Sequence, residues 1–329
     1  MTPDRASEIE VVRAEKGHEP RIHRLLSEAL GWQDDARHDA LFRWKHEHNP
    51  FGASPAWVAV AGDELVGLRT FMSWEFQYGE ANVRAVRAVD TATLPEYQGR
   101  GIFTRLTLAA VEALRAEGID FVFNTPNDQS RPGYLKMGWK EVGRLTTVVR
   151  PTSLRALPRI LRARRPAERW SHPSAAGVPA AEALSDRAVV DQLLSALGSS
   201  SRLRTRRSVE YLQWRYGWEE LGYRAIAVSS DPTEGLALFR TRRRGPAVEA
   251  SLCELLVPNG DLGIVRRLVR NVARAVEADH VIALSPPGLR GGLVPLPTVG
   301  PMLTWRALAM EEAPPRSAWA LTLGDVELF

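Results

Sequence analysis

The chain has 329 residues, 44% hydrophobic and 25% charged, which is the balance of a globular protein with room for two domains. No apolar run approaches the roughly 20 residues that span a bilayer, and the single cysteine, Cys253, excludes an intramolecular disulfide framework. The net charge of +4 is concentrated in residues 151–170, with six Arg against one Glu, so the rest of the chain offers no general basic face and no nucleic-acid partner is expected.

The opening stretch, MTPDRASEIEVV, carries acids and no apolar segment, and the expected location is cytoplasmic. Residues 8–17 then read as a strand ending at Gly17. Ile22, Leu25, Leu26 and Leu30 have helical spacing. A second helix over 36–48 stops before Asn49-Pro50, where proline disfavours the helical conformation of the preceding residue. Residues 56–76 alternate on both sides of Gly62-Asp63 as a hairpin does, and 83–94 form the next strand. A glycine-rich turn leads into an Ala-rich helix closed by Gly118. Residues 119–126 read as a strand, a short helical piece reaches GYLKMGW, and 141–150 read as a last strand. The order is β-α-α-β-β-β-α-β-α-β.

The second half echoes the first. Leu41/Leu212, Trp44/Trp214 and Gly67/Gly235 fall in similar order, and VDTATLP and LCELLVP both end at a proline, Pro95 and Pro258. A helix-and-strand pattern follows each proline. This is the pattern of a divergent tandem duplication.

The turn between the strand and the Ala-rich helix holds Gln98, Gly99, Arg100 and Gly101. A helix start has unpaired N–H groups and a positive dipole end, glycines permit close backbone approach, and an arginine adds charge. By itself a G-x-G turn is a weak signal. The context is more specific. PEYQGRGIF lies between strand and helix, and after the next strand come Asn127, Ser130, Tyr134, Gly138 and Trp139. Together these resemble the two signatures of the GNAT acyltransferase superfamily, Q/R-x-x-G-x-G/A and N-x-x-A followed by Y-x-x-x-G-F. Phe103 stands where the first signature usually has Gly or Ala, and Ser130 where the second has Ala.

The resemblance implies a mixed α/β (α+β) fold in two tandem GNAT-like domains. Residues 8–150 would be the catalytic domain that binds acyl-coenzyme A, 151–180 an Arg- and Pro-rich linker, and 181–329 a degenerate copy with a C-terminal tail. The second half has PNGDLGIVRR where the first has the phosphate signature, so it is expected not to bind coenzyme A. By the same resemblance, the cofactor contacts would be Thr91, Ala92 and Thr93 along the strand, Gln98, Gly99, Arg100, Gly101, Ile102, Phe103 and Thr104 at the turn, and Asn127 and Tyr134. Acetyl-CoA, or another acyl-CoA, would be the co-substrate, with no metal. The acceptor would be a primary amine of a small molecule, such as an amino sugar.

Acyl transfer to an amine needs a proton removed from nitrogen, a polarised carbonyl and a proton for the leaving thiolate. Tyr134 is the candidate acid, although a tyrosine there can equally be a packing residue. For the base, Asp90 sits in the strand leading to the turn, where it could instead pair with Arg84 or Arg87. The tail WALTLGDVELF offers Asp325, Glu327 and the terminal carboxylate of Phe329, after Trp319, Leu321 and Leu323 in a strand-like alternation. Water could replace any of them. His46 and His48 are two apart on a helix and so do not share a face. Leu154, Leu157, Ile160 and Leu161 with their arginines suggest either docking on the protein or contact of 151–165 with an anionic membrane surface. Two other functions fit the same features: a catalytically silent acyl-CoA sensor, and an aminoacyltransferase of the Fem type, which also duplicates this fold.

Overall fold

The computed structural model of the chain describes residues 9–32, 35–284, 292–296 and 298–327. The first half supplies β1 (Ile9–Arg13), α1 (Glu19–Leu30), α2 (Arg37–His46), β2 (Ala56–Ala61), β3 (Glu64–Tyr78) and β4 (Ala81–Thr93). After these come α3 (Ile102–Ala116), β5 (Phe121–Asn124), α4 (Arg131–Lys136), β6 (Lys140–Arg144) and β7 (Thr147–Pro151). The second half contributes α5 (Leu157–Arg162), α6 (Arg187–Ser195), α7 (Val209–Gly217), β8 (Arg224–Ala227), β9 (Leu236–Arg244) and β10 (Ala247–Leu256). It ends with α8 (Leu262–Ala275), β11 (His280–Leu284), β12 (Met302–Ala307) and the one-turn α9 (Leu323–Val326).

These strands form two mixed sheets. The first runs β1-β2-β3-β4-β5-β12-β6, antiparallel throughout except for the parallel pair β4/β5. The second runs β7-β11-β10-β9-β8, and its parallel pair is β10/β11. Each parallel pair has its crossover helix, α3 or α8, between the two strands, as parallel pairing requires. α3 buries Ile102, Leu106, Ala110, Val111 and Leu114 on one face, and α8 buries Val265, Leu268, Val269 and Val272. The spacing of three and four residues between these side chains puts them on one face, which packs each helix on its sheet.

The echo between the halves has a physical form. Trp44 and Trp214 stack with ring centroids 4.7 Å apart. Each indole N–H donates to the other residue's carbonyl oxygen, at 2.9 and 2.8 Å. Gly67 on β3 and Gly235 just before β9 are both pressed by an isoleucine of the crossover helix. A Cβ at Gly67 would lie 2.7 Å from Ile102 Cγ2, and one at Gly235 would lie 2.8 Å from Ile264 Cγ2. Each half thus uses glycine where the helix start sits closest to the sheet.

The connections cross between the sheets. Residues 141–150 do not form one strand. The chain turns at Leu145, whose N–H donates to Pro301 O, so β6 stays in the first sheet while β7 pairs with β11 of the second. In return β12, from the second half, inserts between β5 and β6. A hydrophobic cluster containing Trp74, Phe76, Phe121 and Phe123 from the first half and Tyr211, Tyr216, Leu238 and Leu256 from the second packs the halves together, joined by Trp305 and Trp319.

Residues 151–170, expected to lie in a linker, are tied to the second half. Arg159 pairs with Asp279 at 2.6 Å, and the Arg244 side chain donates to Arg165 O. Leu154 and Leu161 remain 84% and 74% exposed. No described helix is long and apolar enough to cross a membrane.

Candidate active site

The site grows from the point where β4 and β5 part. They pair only from Ala85/Phe121 to Arg87/Phe123. Beyond that, β4 continues to Thr93 along β3, and among the described residues no strand pairs with its other edge. A bulge marks the opening: Val89 faces Thr70 and Thr91 faces Arg69, which leaves Asp90 as the extra residue. Asp90 takes φ +39°, an unfavourable conformation for a residue with a Cβ. The Thr70 hydroxyl donates to the Val89 carbonyl at 2.8 Å and lies 3.1 Å from that of Asp90, which fixes the bulge.

The turn that follows is exposed at Gln98, Gly99, Arg100 and Gly101. Gly99 and Gly101 have φ +76° and +73°, the left-handed conformation that makes glycine the fitting residue, while the space around each is open. Gly101 is the N-cap of α3, and no side chain caps the helix start. The first-turn N–H groups therefore point outward from the positive end of a 15-residue helix. Gln98 reaches back to Thr93 O at 3.3 Å, and Arg100 lies over the Tyr97 ring. Ile102 is buried and Thr104 exposed. Asn127 accepts from the Ser130 N–H at 2.8 Å and from the Gln129 N–H, which shapes the start of α4.

Phe103 turns its ring away from the open turn. It packs edge-on against Tyr134 at 5.5 Å, and a Cβ at Gly133 would touch it at 3.6 Å. Its bulk is absorbed under α4. Tyr134 is 4% exposed, lies against Trp139, and its phenol oxygen accepts from Arg69 Nη2 at 2.6 Å. Gly138 has φ +89°, and the Arg306 guanidinium lies 1.7 Å from where its Cβ would be. That arginine comes from β12, so the glycine of the second signature makes room for the exchanged strand.

The carboxylates expected to serve as base are placed otherwise. Asp90 pairs with neither Arg84 nor Arg87. Its Oδ2 accepts from Lys45 and lies 2.8 Å from His46 Nε2, both from α2 and both buried. Burial would raise the Asp90 carboxyl, but Lys45 and His46 hold it well below its ordinary value. Burial lowers Lys45 and His46 in turn. A carboxylate held this way is a weak proton acceptor. A cavity of about 850 Å³ opens beside this cluster, lined by Phe42, His46, Ser54, Thr70 and Ser73 among others.

Asp325 and Glu327 are corrections of a similar kind. The tail does lie between the halves, but as α9 rather than a strand, with a capping box between Thr322 and Asp325. Asp325 is fully buried, its Oδ1 accepts from Thr205 Oγ1 at 2.7 Å, and its carbonyl accepts from Arg87 at 2.6 Å. Glu327 lies 3.1 Å from Arg240, 3.4 Å from Arg242 and 3.6 Å from Arg215, and also accepts from the Tyr223 hydroxyl. Burial alone would raise the Glu327 carboxyl, yet these arginines keep it far below its ordinary value. Both side chains are engaged in fastening the tail and are not turned toward an acceptor. Phe329 lies outside the described residues. Burial also brings the Arg87 guanidinium down to about 9, with Asp325 opposing the shift.

Sequence reasoning missed Lys45 and Arg69, and considered His46 only beside His48. Each lies far along the chain from its partner, so no local signal joins them. Among the described residues no cluster of His, Cys, Asp and Glu has the arrangement of a metal site.

This geometry agrees with the comparisons. A family model described as an acetyltransferase (GNAT) domain matches residues 10–142. Among solved structures, a probable N-acyltransferase from Enterococcus faecalis V583 has TM-score 0.66 at 13% identity, covering 92% of this chain and 73% of that one. A GCN5-related N-acetyltransferase from Kribbella flavida has TM-score 0.58 at 19% identity, with 92% and 72% covered. Eis1 from Mycobacterium abscessus has TM-score 0.58 at 15% identity, with 92% and 74% covered. At these identities the likeness is one of fold. No curated protein matches the sequence.

Proposed function

We propose that this chain, whose residues 10–142 are a GNAT acetyltransferase domain, transfers an acyl group from coenzyme A to a primary amine of a small molecule. The observation that carries this reading is the uncapped start of α3 beside the free edge of β4. The backbone N–H groups at Gly101, Ile102, Phe103 and Thr104, with Gln98, Gly99 and Arg100, would hold the pyrophosphate. The free edge at Thr91, Ala92 and Thr93 would pair with the amide groups of the pantetheine arm, which needs the same donors and acceptors as a strand. The thioester would then lie near the Asp90 bulge and Tyr134, with Asn127 at the mouth of α4.

In this reading Tyr134 gives its proton to the departing sulfur. Asp90 keeps the bulge in shape through Lys45 and His46 and is not the base. The cavity beside His46 is of the size that suits small-molecule acceptors, which favours a small amine. The second half is read as a divergent copy that supports the first. Release of free thiol from acetyl-CoA, measured against a panel of amines and amino sugars, tests the proposal. At least one amine is expected to accelerate release, and Tyr134→Phe to slow it by about 10²–10⁴-fold. Acyl-CoA binding with no amine-dependent release would favour a silent sensor instead.

A further inference from the structure

Arg69 is one of the largest fully buried side chains, at 1% exposure, and among the described residues no carboxylate lies within ion-pair distance of it. Its guanidinium carbon sits 5.0 Å from the centroid of Phe71 and 5.3 Å from those of Phe103 and Tyr134. Aromatic faces offset part of the cost of burying a cation, but less well than a counter-ion does. Nε has no partner, and the hydrogen bond found for this side chain runs from Nη2 to the Tyr134 hydroxyl. A cation placed at such cost, against the candidate acid and nothing anionic, calls for a use.

Arginine has no acceptor atom. In the Arg69–Tyr134 hydrogen bond the phenol oxygen must accept, so its single hydrogen is directed elsewhere. We propose that Arg69 is a positioning residue for Tyr134: it keeps the phenol hydrogen free for the coenzyme sulfur and faces the oxygen that is left charged once that hydrogen has gone. This rests on the proposed acyl transfer. In that reaction the amine, arriving as free base, forms a nitrogen–carbon bond to the thioester carbon. The carbon–sulfur bond breaks with its electron pair on sulfur, and sulfur takes the proton of Tyr134. The phenolate, paired with Arg69, then takes the proton that the new amide nitrogen sheds. One proton moves in total from nitrogen to sulfur, and no carboxylate base is required. That agrees with the engagement of Asp90, Asp325 and Glu327 by other partners.

Phe103 belongs to the same device. The ring that departs from the usual small residue closes the third side of the cage around Arg69.

The test is a double-mutant cycle on thiol release with the best amine of the panel, using Arg69→Met, Arg69→Lys, Tyr134→Phe and the Arg69→Met/Tyr134→Phe double variant, with thermal melts of each. Arg69→Met is expected to lower kcat by about 10²-fold, the scale of losing one charge-stabilising donor, while acyl-CoA affinity changes by less than about threefold. Arg69→Lys should recover part of that loss, and Arg69→Met should add little once Tyr134 is Phe. If Arg69→Met melts too low to assay, Arg69→Lys and Phe103→Leu carry the cycle in its place. A folded Arg69→Met with wild-type kcat, or full additivity with Tyr134→Phe, overturns the inference while leaving the transfer reaction standing. Absence of amine-dependent release in the wild-type chain overturns the transfer reading itself.

Discussion

The starts of α3 and α8 are built alike up to one side chain. Each helix follows a proline, Pro95 or Pro258, five residues beyond a register shift that leaves out one residue, Asp90 or Cys253. Each presses an isoleucine on a glycine near the neighbouring strand. They differ at the N-cap. Gly101 leaves the first turn of α3 open, whereas Asp261 caps α8 by accepting from the N–H groups of Gly263, at 2.6 Å, and Ile264, at 3.1 Å. The protein's own carboxylate occupies the place that an incoming phosphate would need, and its charge would repel one. Further along, the bulge residue Cys253 is covered by the tail. A Cβ at Gly324 would lie 3.0 Å from Cys253 O, and the Cys253 thiol is 3.2 Å from Glu327. In the proposed reading an anion seat is made by what is left uncapped, and the start of α8 is closed both by its own cap and by the tail.

The largest effect expected from disturbing this contrast is on stability. Glu327→Gln leaves Arg215, Arg240 and Arg242 buried without their shared counter-charge, and unfolding should become easier by about 3–5 kcal/mol, read from the urea midpoint at constant m. The same latch sets an acid limit. Glu327 and Asp90 are both held below their ordinary values, so the stability they contribute is present above the unfolded carboxyl pKa, about 4, and is lost as pH falls below it. Glu327→Gln should flatten that loss, and an unchanged acid profile would remove the latch from the account.

Gly101→Val should come next. A β-branched residue at φ +73° would distort the proposed seat and crowd a phosphate there, and acyl-CoA should bind at least tenfold more weakly, about 1.4 kcal/mol, by calorimetry. Asp261→Ala should cost about 1 kcal/mol of stability as a lost cap, with acyl-CoA affinity unchanged. Weaker coenzyme binding in that variant would mean that the two helix starts are not independent.

What the sequence made legible was local. The open start of α3 follows from two glycines within a few residues, and the α4 turn holding Asn127, Tyr134 and Gly138 from one short run. The likeness between the stretches around Trp44 and Trp214 and around Gly67 and Gly235 was legible too, because these residues keep their order. The setting of the carboxylates was not. Asp90 meets Lys45 and His46, and Glu327 meets three arginines about a hundred residues earlier, contacts that only the packed sheets create. The exchange of β7 and β12 was hidden for the same reason, since 141–150 alternates as one strand and nothing local says that its two ends join different sheets. The packing of Phe103, in place of the usual small residue, was hidden because its partner, Arg69, lies 34 positions away.

The most direct test of the difference between the halves is a calorimetric titration of the full chain with acetyl-CoA, repeated on Gly101→Val and Asp261→Ala. One site per chain is predicted for the wild type, weakened at least tenfold by Gly101→Val and retained in Asp261→Ala. Two sites per chain, or a Gly101→Val protein that binds as tightly as the wild type, would contradict it.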